Sequence, residues 1–132
     1  MANYRYDHAH IISPDPEAAA KFYVDMFKAT IKNKGIAPDG TAMVAVDLSG
    51  ANIFFKGRAE KPKVAAPPAG STYGLEHLAV VTDDLDAAVA ELTAKGAKFI
   101  QGITNYRPGI RISFVAGPDD TLIELLERKP VQ

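Results

Sequence analysis

Three histidines, His8, His10 and His77, and one acid in an apolar setting, Glu124, are the side chains with the most chemical capacity. Glu124 stands in the run Thr121-Leu122-Ile123-Glu124-Leu125-Leu126. A carboxylate there must be paired, exposed on one sheet face, or bound to a metal. The 132 residues include no cysteine, so any metal must be held by His, Asp, Glu or backbone oxygen. Two imidazoles and one carboxylate, with coordination positions left open, form the ligand set of non-haem Fe(II) centres and would equally suit Mn, Ni, Co or Zn.

Which histidines belong to such a set follows from comparing the chain with itself. A shift of 69 residues lays His8-Ala9-His10-Ile11-Ile12-Ser13 on His77-Leu78-Ala79-Val80-Val81-Thr82. It also lays Asp15 on Asp84, Glu17 on Asp86 and Ala18-Ala19 on Ala87-Ala88. A shift of 70 lays Asn52-Ile53-Phe54-Phe55 on Leu122-Ile123-Glu124-Leu125. His8 therefore has a counterpart in His77, whereas His10 has none. His10 shares a strand face with His8 and is expected to contact substrate or support the site, with Glu124 as the other catalytic group.

The elements that must position these residues repeat as well. Each copy opens on an alternating strand, Asp7 to Ser13 and Glu76 to Thr82. Asp15 and Asp84 then read as helix N-caps, with Pro16 at a first helical position where a missing N–H costs nothing. Ala19, Phe22, Tyr23, Met26 and Phe27 form one helical face, and Leu85, Ala88, Val89 and Leu92 another. Gly96 fits the position that ends the second helix. Three strands follow each helix: Thr30–Ile36, Ala42–Leu48 and Asn52–Lys56, then Ala97–Ile103, Ile110–Ala116 and Thr121–Glu127. The expected fold is α+β, two βαβββ modules (1–57 and 75–132) forming a curved mixed sheet, joined by a Pro-, Ala- and Lys-rich linker over 58–74.

The totals exclude several other functions. Net charge is −1 and the basic residues form no stripe, which argues against nucleic acid. No segment reaches the roughly 20 apolar residues of a membrane span. Met1 to Asp15 does not read as a secretory signal, so a cytoplasmic location is expected.

The resemblance becomes specific at two motifs. His8 followed by the helix ending Lys21-Phe22-Tyr23-Val24-Asp25-Met26-Phe27 resembles the opening of vicinal-oxygen-chelate proteins, in which an "FY…LG" helix follows a ligand histidine. Gly117-Pro118-Asp119-Asp120-Thr121-Leu122-Ile123-Glu124-Leu125 is similar to the "DPDG-x-x-IEL" end of that superfamily, which includes glyoxalases, bleomycin-resistance proteins and ring-cleaving dioxygenases. The resemblance covers nearly the whole chain. It implies one divalent metal on His8, His77 and Glu124, a small oxygenated organic substrate bound through two oxygens, and a homodimer.

Departures from the subgroups bear on the reaction. Glyoxalase I takes a fourth ligand from the last strand of its first module, and that position here is Phe54. Asp47 or Asn52 would serve only with a register change. Fosfomycin-resistance transferases use three ligands with Lys and Ser contacts to phosphonate, where this chain has Ile112 and Phe114. Many ring-cleaving dioxygenases carry a tyrosine ten residues before the glutamate, and Phe114 stands there. Three ligands favour an Fe(II) dioxygenase over a glyoxalase-like lyase or isomerase, and a bleomycin-resistance-like binding protein is the non-catalytic alternative. Strand parity sends Phe54, Ile112, Phe114 and Leu122 toward the cavity of Glu124, with core packing the plainer account of Ile112 and Leu122. Arg111 points away. Tyr106 and Arg107, read in a loop from Gly102 to Gly109, are the candidate cap over a substrate.

Overall fold

The computed structural model describes residues 2–3, 5–58 and 73–131. The chain divides into two compact units, Met1–Ala66 and Pro67–Gln132. The expected linker over 58–74 lies, apart from its end residues, outside the described residues. The first unit contains β1 (His8–Ile12), α1 (Pro16–Phe27), β2 (Thr30–Ile36), β3 (Ala42–Leu48) and β4 (Ala51–Lys56). The second contains β5 (His77–Thr82), α2 (Leu85–Ala94), β6 (Phe99–Arg107), β7 (Ile110–Ala116) and β8 (Leu122–Arg128). Each is a βαβββ module with one mixed four-stranded sheet, ordered β1-β4-β3-β2 in the first and β5-β8-β7-β6 in the second. The opening strand of each runs parallel to its last strand, and the other pairings are antiparallel.

The turn from first strand to helix is built identically in both units. Ser13 Oγ accepts from the Asp15 N–H, and Thr82 Oγ1 accepts from that of Asp84. Asp15 then caps α1 by accepting from Ala18 N at 3.0 Å, and Asp84 caps α2 by accepting from Ala87 N at 2.9 Å. These bonds satisfy N–H groups that a helix start leaves without intrahelical partners. Gly96 ends α2 with φ of +91°, which glycine adopts without a Cβ penalty.

Each sheet buries one face of its central strands against its helix. In the first unit Val44, Val46, Ile53 and Phe55 lie buried on the face shared with Ala19, Ala20 and Tyr23 of α1, and the rings of Tyr23 and Phe55 stand 5.3 Å apart. Phe22, Met26 and Phe27 are only half-buried. In the second unit Val115, Ile123 and Leu125 are buried with Leu85 and Leu92 of α2. Complete burial of a side chain of this size contributes about 1.5–3 kcal/mol. Burial of one face leaves His8, His77 and Glu124 on the other, because strand residues alternate.

Glu127 closes the covered face of the second unit. It is 2% exposed, yet its carboxylate accepts from the Leu85 N–H at 2.8 Å and from Arg111 at 2.9 and 3.1 Å. Arg111 also donates to Asp86 at 2.8 Å. It turns away from the Glu124 face, as strand parity requires.

The expected loop from Gly102 to Gly109 is instead strand. β6 continues to Arg107, and Arg107 pairs with Ile110 across a turn at Pro108 and Gly109. Gly102 lies where the register shifts, so it marks an irregularity within the ladder rather than its end. Ile103, Thr104 and Tyr106 carry the strand past it, being β-branched or aromatic. Tyr106 and Arg107 consequently ride on an edge strand.

Candidate metal centre

The parallel pairing of β5 with β8 sets His77 opposite Leu122 and Ala79 opposite Glu124. His77 and Glu124 thus share a face one step apart along neighbouring strands. Their side chains meet, with His77 Nε2 2.7 Å from Glu124 Oε2, at side-chain exposures of 28% and 16%. This contact answers the problem posed by an acid between the buried Ile123 and Leu125, which needs a partner. Phe114 lies directly across from Glu124 on β7, and its ring meets that of His77 edge-on at 5.4 Å. Leu122 borders His77 on the same face. Ile112, also on that face and opposite Leu126, is buried.

His77 is held from its other side too. Its Nδ1 lies 3.0 Å from Glu76 Oε1. An ionised carboxylate only accepts, so this contact makes Nδ1 the donor.

The first unit repeats the frame with different occupants. β1 pairs with β4 so that His8 is opposite Asn52 and His10 opposite Phe54. Phe54 therefore occupies the register position that Glu124 has in the second unit, as the shifts of 69 and 70 require. His8 stacks on Phe54 with centroids 4.0 Å apart and planes at 10°. Its Nδ1 is 2.6 Å from Asp7 Oδ2, the same contact that His77 makes with Glu76. His10 lies on the same face, 5.9 Å from the His8 ring and edge-on to Phe54 at 6.3 Å. Burial lowers the basicity of His10, and the neighbouring His8, Lys56 and Arg58 lower it further. Asn52 is committed elsewhere: its side chain accepts from Lys32 and donates to the Asp7 carbonyl. Asp47 accepts from the Gly50 N–H at 3.4 Å.

Tyr106 and Arg107 do not join the His77–Glu124 cluster of their own unit. The Arg107 guanidinium lies 5.9 Å from the Tyr106 ring centroid. Arg107 also lines an open cleft of about 540 Å³ with Asn105, Ile110, Arg111, Glu127 and Lys129. Glu127 and Arg111 project from the sheet face opposite Glu124, so this cleft is separate from the His77–Glu124 pair.

Sequence reasoning missed Asp7 and Glu76. The signal was present, since the 69-residue shift extended back by one position lays Asp7 on Glu76.

A model of the Glyoxalase/Bleomycin resistance protein/Dioxygenase superfamily matches residues 5–125. The chain belongs to that superfamily. One relative, the uncharacterized protein YwbC of Bacillus subtilis (strain 168), is 27% identical over 94% of this chain and 98% of its own length. A glyoxalase family protein from Enterococcus faecalis superposes with a TM-score of 0.77, at 20% identity over 93% of this chain and 97% of its own. The fosfomycin resistance protein FosX from Listeria monocytogenes, solved with Mn(II) and sulfate, superposes with a TM-score of 0.70, at 16% identity over 97% and 95%. At these identities the solved structures establish the shared superfamily fold.

The donor chemistry of the second unit fits a divalent ion. Donors each about 2.1 Å from a common ion sit about 3 Å apart when they take adjacent positions. The 2.7 Å between His77 Nε2 and Glu124 Oε2 is close to that separation. Among the described residues, no three His, Asp or Glu side chains are gathered as a metal-binding group within either unit.

Proposed function

We propose that this chain is a divalent-metal-dependent enzyme of the vicinal-oxygen-chelate type, with His8, His77 and Glu124 as its metal ligands. The observation that carries this reading is the His77–Glu124 contact, whose two partners lie 47 residues apart in sequence and meet on the sheet face opposite Ile123 and Leu125. His8 is the proposed third ligand because it repeats the position of His77 and its contact with a preceding acid. When bound, such an ion supplies Lewis acidity and open positions for two adjacent oxygens of a small organic substrate.

The chain's own residues then have defined tasks. Phe54, Phe114 and Leu122 offer apolar surface beside the ligands, which favours a substrate with a carbon skeleton next to its chelating oxygens. Ile112 underlies that surface. His10 is placed as a proton acceptor beside His8, and a ligated Glu124 carboxylate is the second candidate for that task. Tyr106 and Arg107 are retained as candidate substrate contacts only at the rim, given their place on β6.

The reaction favoured is Fe(II)-dependent dioxygenation. The supporting observation is that Phe54 fills the first unit's counterpart of Glu124, while Asn52 is engaged by Lys32 and the Asp7 carbonyl. That leaves a three-ligand set with positions for both substrate and O₂ rather than the four-ligand set of a glyoxalase-like isomerase. The aromatic contacts of Phe54 with His8 and of Phe114 with His77 favour, as second reading, a binding protein that holds an aromatic ligand without turnover. A cytoplasmic homodimer is the proposed state of the molecule, and sedimentation tests the dimer.

Metal titration of the purified protein and of Glu124→Ala tests the ligand reading. One ion per chain, with much weaker binding in the variant, is expected. Equal binding by both proteins overturns it. Oxygen uptake by Fe(II)-loaded protein across a panel of catechols tests the reaction. No uptake returns the choice to the isomerase reading, and tight metal-free binding of an aromatic compound to the binding-protein reading.

A further inference from the structure

Asp7 and Glu76 stand immediately before His8 and His77, at positions that the repeat lays on each other. Each lies one residue outside its strand, since β1 begins at His8 and β5 at His77. Within a strand, consecutive side chains point to opposite faces and do not meet. Just before the ladder begins, the backbone is free to let the acid curl onto the ring that follows it. Both acids do so: Asp7 Oδ2 is 2.6 Å from His8 Nδ1, and Glu76 Oε1 is 3.0 Å from His77 Nδ1.

Burial does not impose these contacts, because the Asp7 and Glu76 side chains are 83% and 58% exposed. Stability gives little reason for them either, since exposed ion pairs contribute almost nothing. The two acids also differ in length, yet both reach the same ring atom. What the units share is the outcome, a carboxylate on Nδ1 that makes that nitrogen a donor and turns Nε2 to the opposite side of the ring, where a bound ion would take the place of any Nε2 proton. In the second unit that atom is already aimed, for it is Nε2 that meets Glu124 at 2.7 Å.

We infer that Asp7 and Glu76 are paired positioning residues that set the tautomer and ring orientation of His8 and His77, so that each presents Nε2 to the metal. This rests on the reading of the two histidines as ligands. Carboxylates behind metal-bound imidazoles act in this way in general, and losing one typically weakens metal binding 10- to 100-fold.

The test uses the full chain and its Asp7→Ala, Glu76→Ala and Glu76→Gln variants, with Co(II) as the probe. Imidazole ¹⁵N spectra of the metal-free proteins at pH 8 report the tautomer without any metal. The unaltered protein should show Nδ1–H at His8 and His77, and each alanine variant should lose that pattern at its own histidine alone. Co(II) affinity should fall 10- to 100-fold in each alanine variant, with unchanged unfolding midpoints. Glu76→Gln, whose amide oxygen still accepts, should recover part of it. Unchanged tautomers or unchanged Co(II) affinity in both alanine variants would overturn the inference while leaving the ligand reading intact. If the unaltered protein shows the Nδ1–H pattern but binds no Co(II), the ligand reading fails and the metal-directed role fails with it.

Discussion

Replacing Gly117 by alanine should disturb the very turn that delivers Glu124 to its strand. Gly117 ends the β7 side of the connection to β8, and its N–H donates to the Thr121 carbonyl at 2.8 Å. A Cβ built there would stand 2.4 Å from Thr121 Oγ1 and 2.9 Å from Ile123 Cδ1. Neither neighbour yields cheaply. Thr121 Oγ1 donates to the Pro118 carbonyl at 2.6 Å, and Ile123 is wholly buried. Displacing the hydroxyl sacrifices a hydrogen bond of about 0.5–1.5 kcal/mol. Pushing the isoleucine overpacks the core by about 1–3 kcal/mol. Alanine also stiffens the unfolded chain, which returns about 0.4–1 kcal/mol. The net expectation is a loss of about 0.5–4 kcal/mol. Gly35 is the control, because a Cβ there meets nothing within 4 Å and its backbone is not left-handed. Gly35→Ala should be neutral or slightly stabilising. Urea unfolding followed by far-UV circular dichroism measures both. A Gly117→Ala midpoint equal to that of the unaltered protein, or of Gly35→Ala, would refute the steric reasoning.

The remaining predictions concern acid stability and the repeat. Arg111, and secondarily the Leu85 N–H, hold the Glu127 carboxyl down at about 2 against an ordinary value of 4.5. Its folded value is depressed, so its stabilisation is complete above pH 4.5 and disappears as pH falls from there toward 2. Glu127→Gln should therefore melt lower than the unaltered protein at pH 7 and lose less between pH 5 and 2.5. Parallel melting curves across that window would contradict this assignment. Asp15→Ala and Asp84→Ala each remove one N-cap of nearly the same geometry and should each cost about 1 kcal/mol in urea unfolding. A large effect from one and none from the other would show that the two turns are not energetically equivalent.

Much of this arrangement was legible in the residues because its determinants are local and repeated. Aspartate before each helix, alternation in the strands and the shift of 69 specify two βαβββ modules. The same alternation puts His77 and Glu124 on one face, and the register of Phe54 opposite His10 follows from the extra residue in the second copy. Two features were not legible, for different reasons. β6 continues past Gly102 because an edge strand tolerates a register shift at glycine, whereas in the sequence that glycine reads as punctuation. In the sequence Glu127 is only the last residue of an expected strand. It is buried because the start of α2, 42 residues earlier, brings the Leu85 N–H to it. Such a contact between distant segments leaves no mark in the pattern around either residue. The acids at Asp7 and Glu76 were overlooked although the repeat marks them, because as first residues of the expected strands they would face away from the histidines that follow.

The claim that the two histidines and Glu124 serve a single ion is tested most directly by a crystal structure of the protein grown with Mn(II), using anomalous scattering to locate the metal. The account predicts one peak per chain, bonded to Nε2 of His8, Nε2 of His77 and a carboxylate oxygen of Glu124, whether the histidines come from one chain or from two copies. A peak that leaves out His8, or Mn(II) found only away from the His77–Glu124 pair, would contradict it.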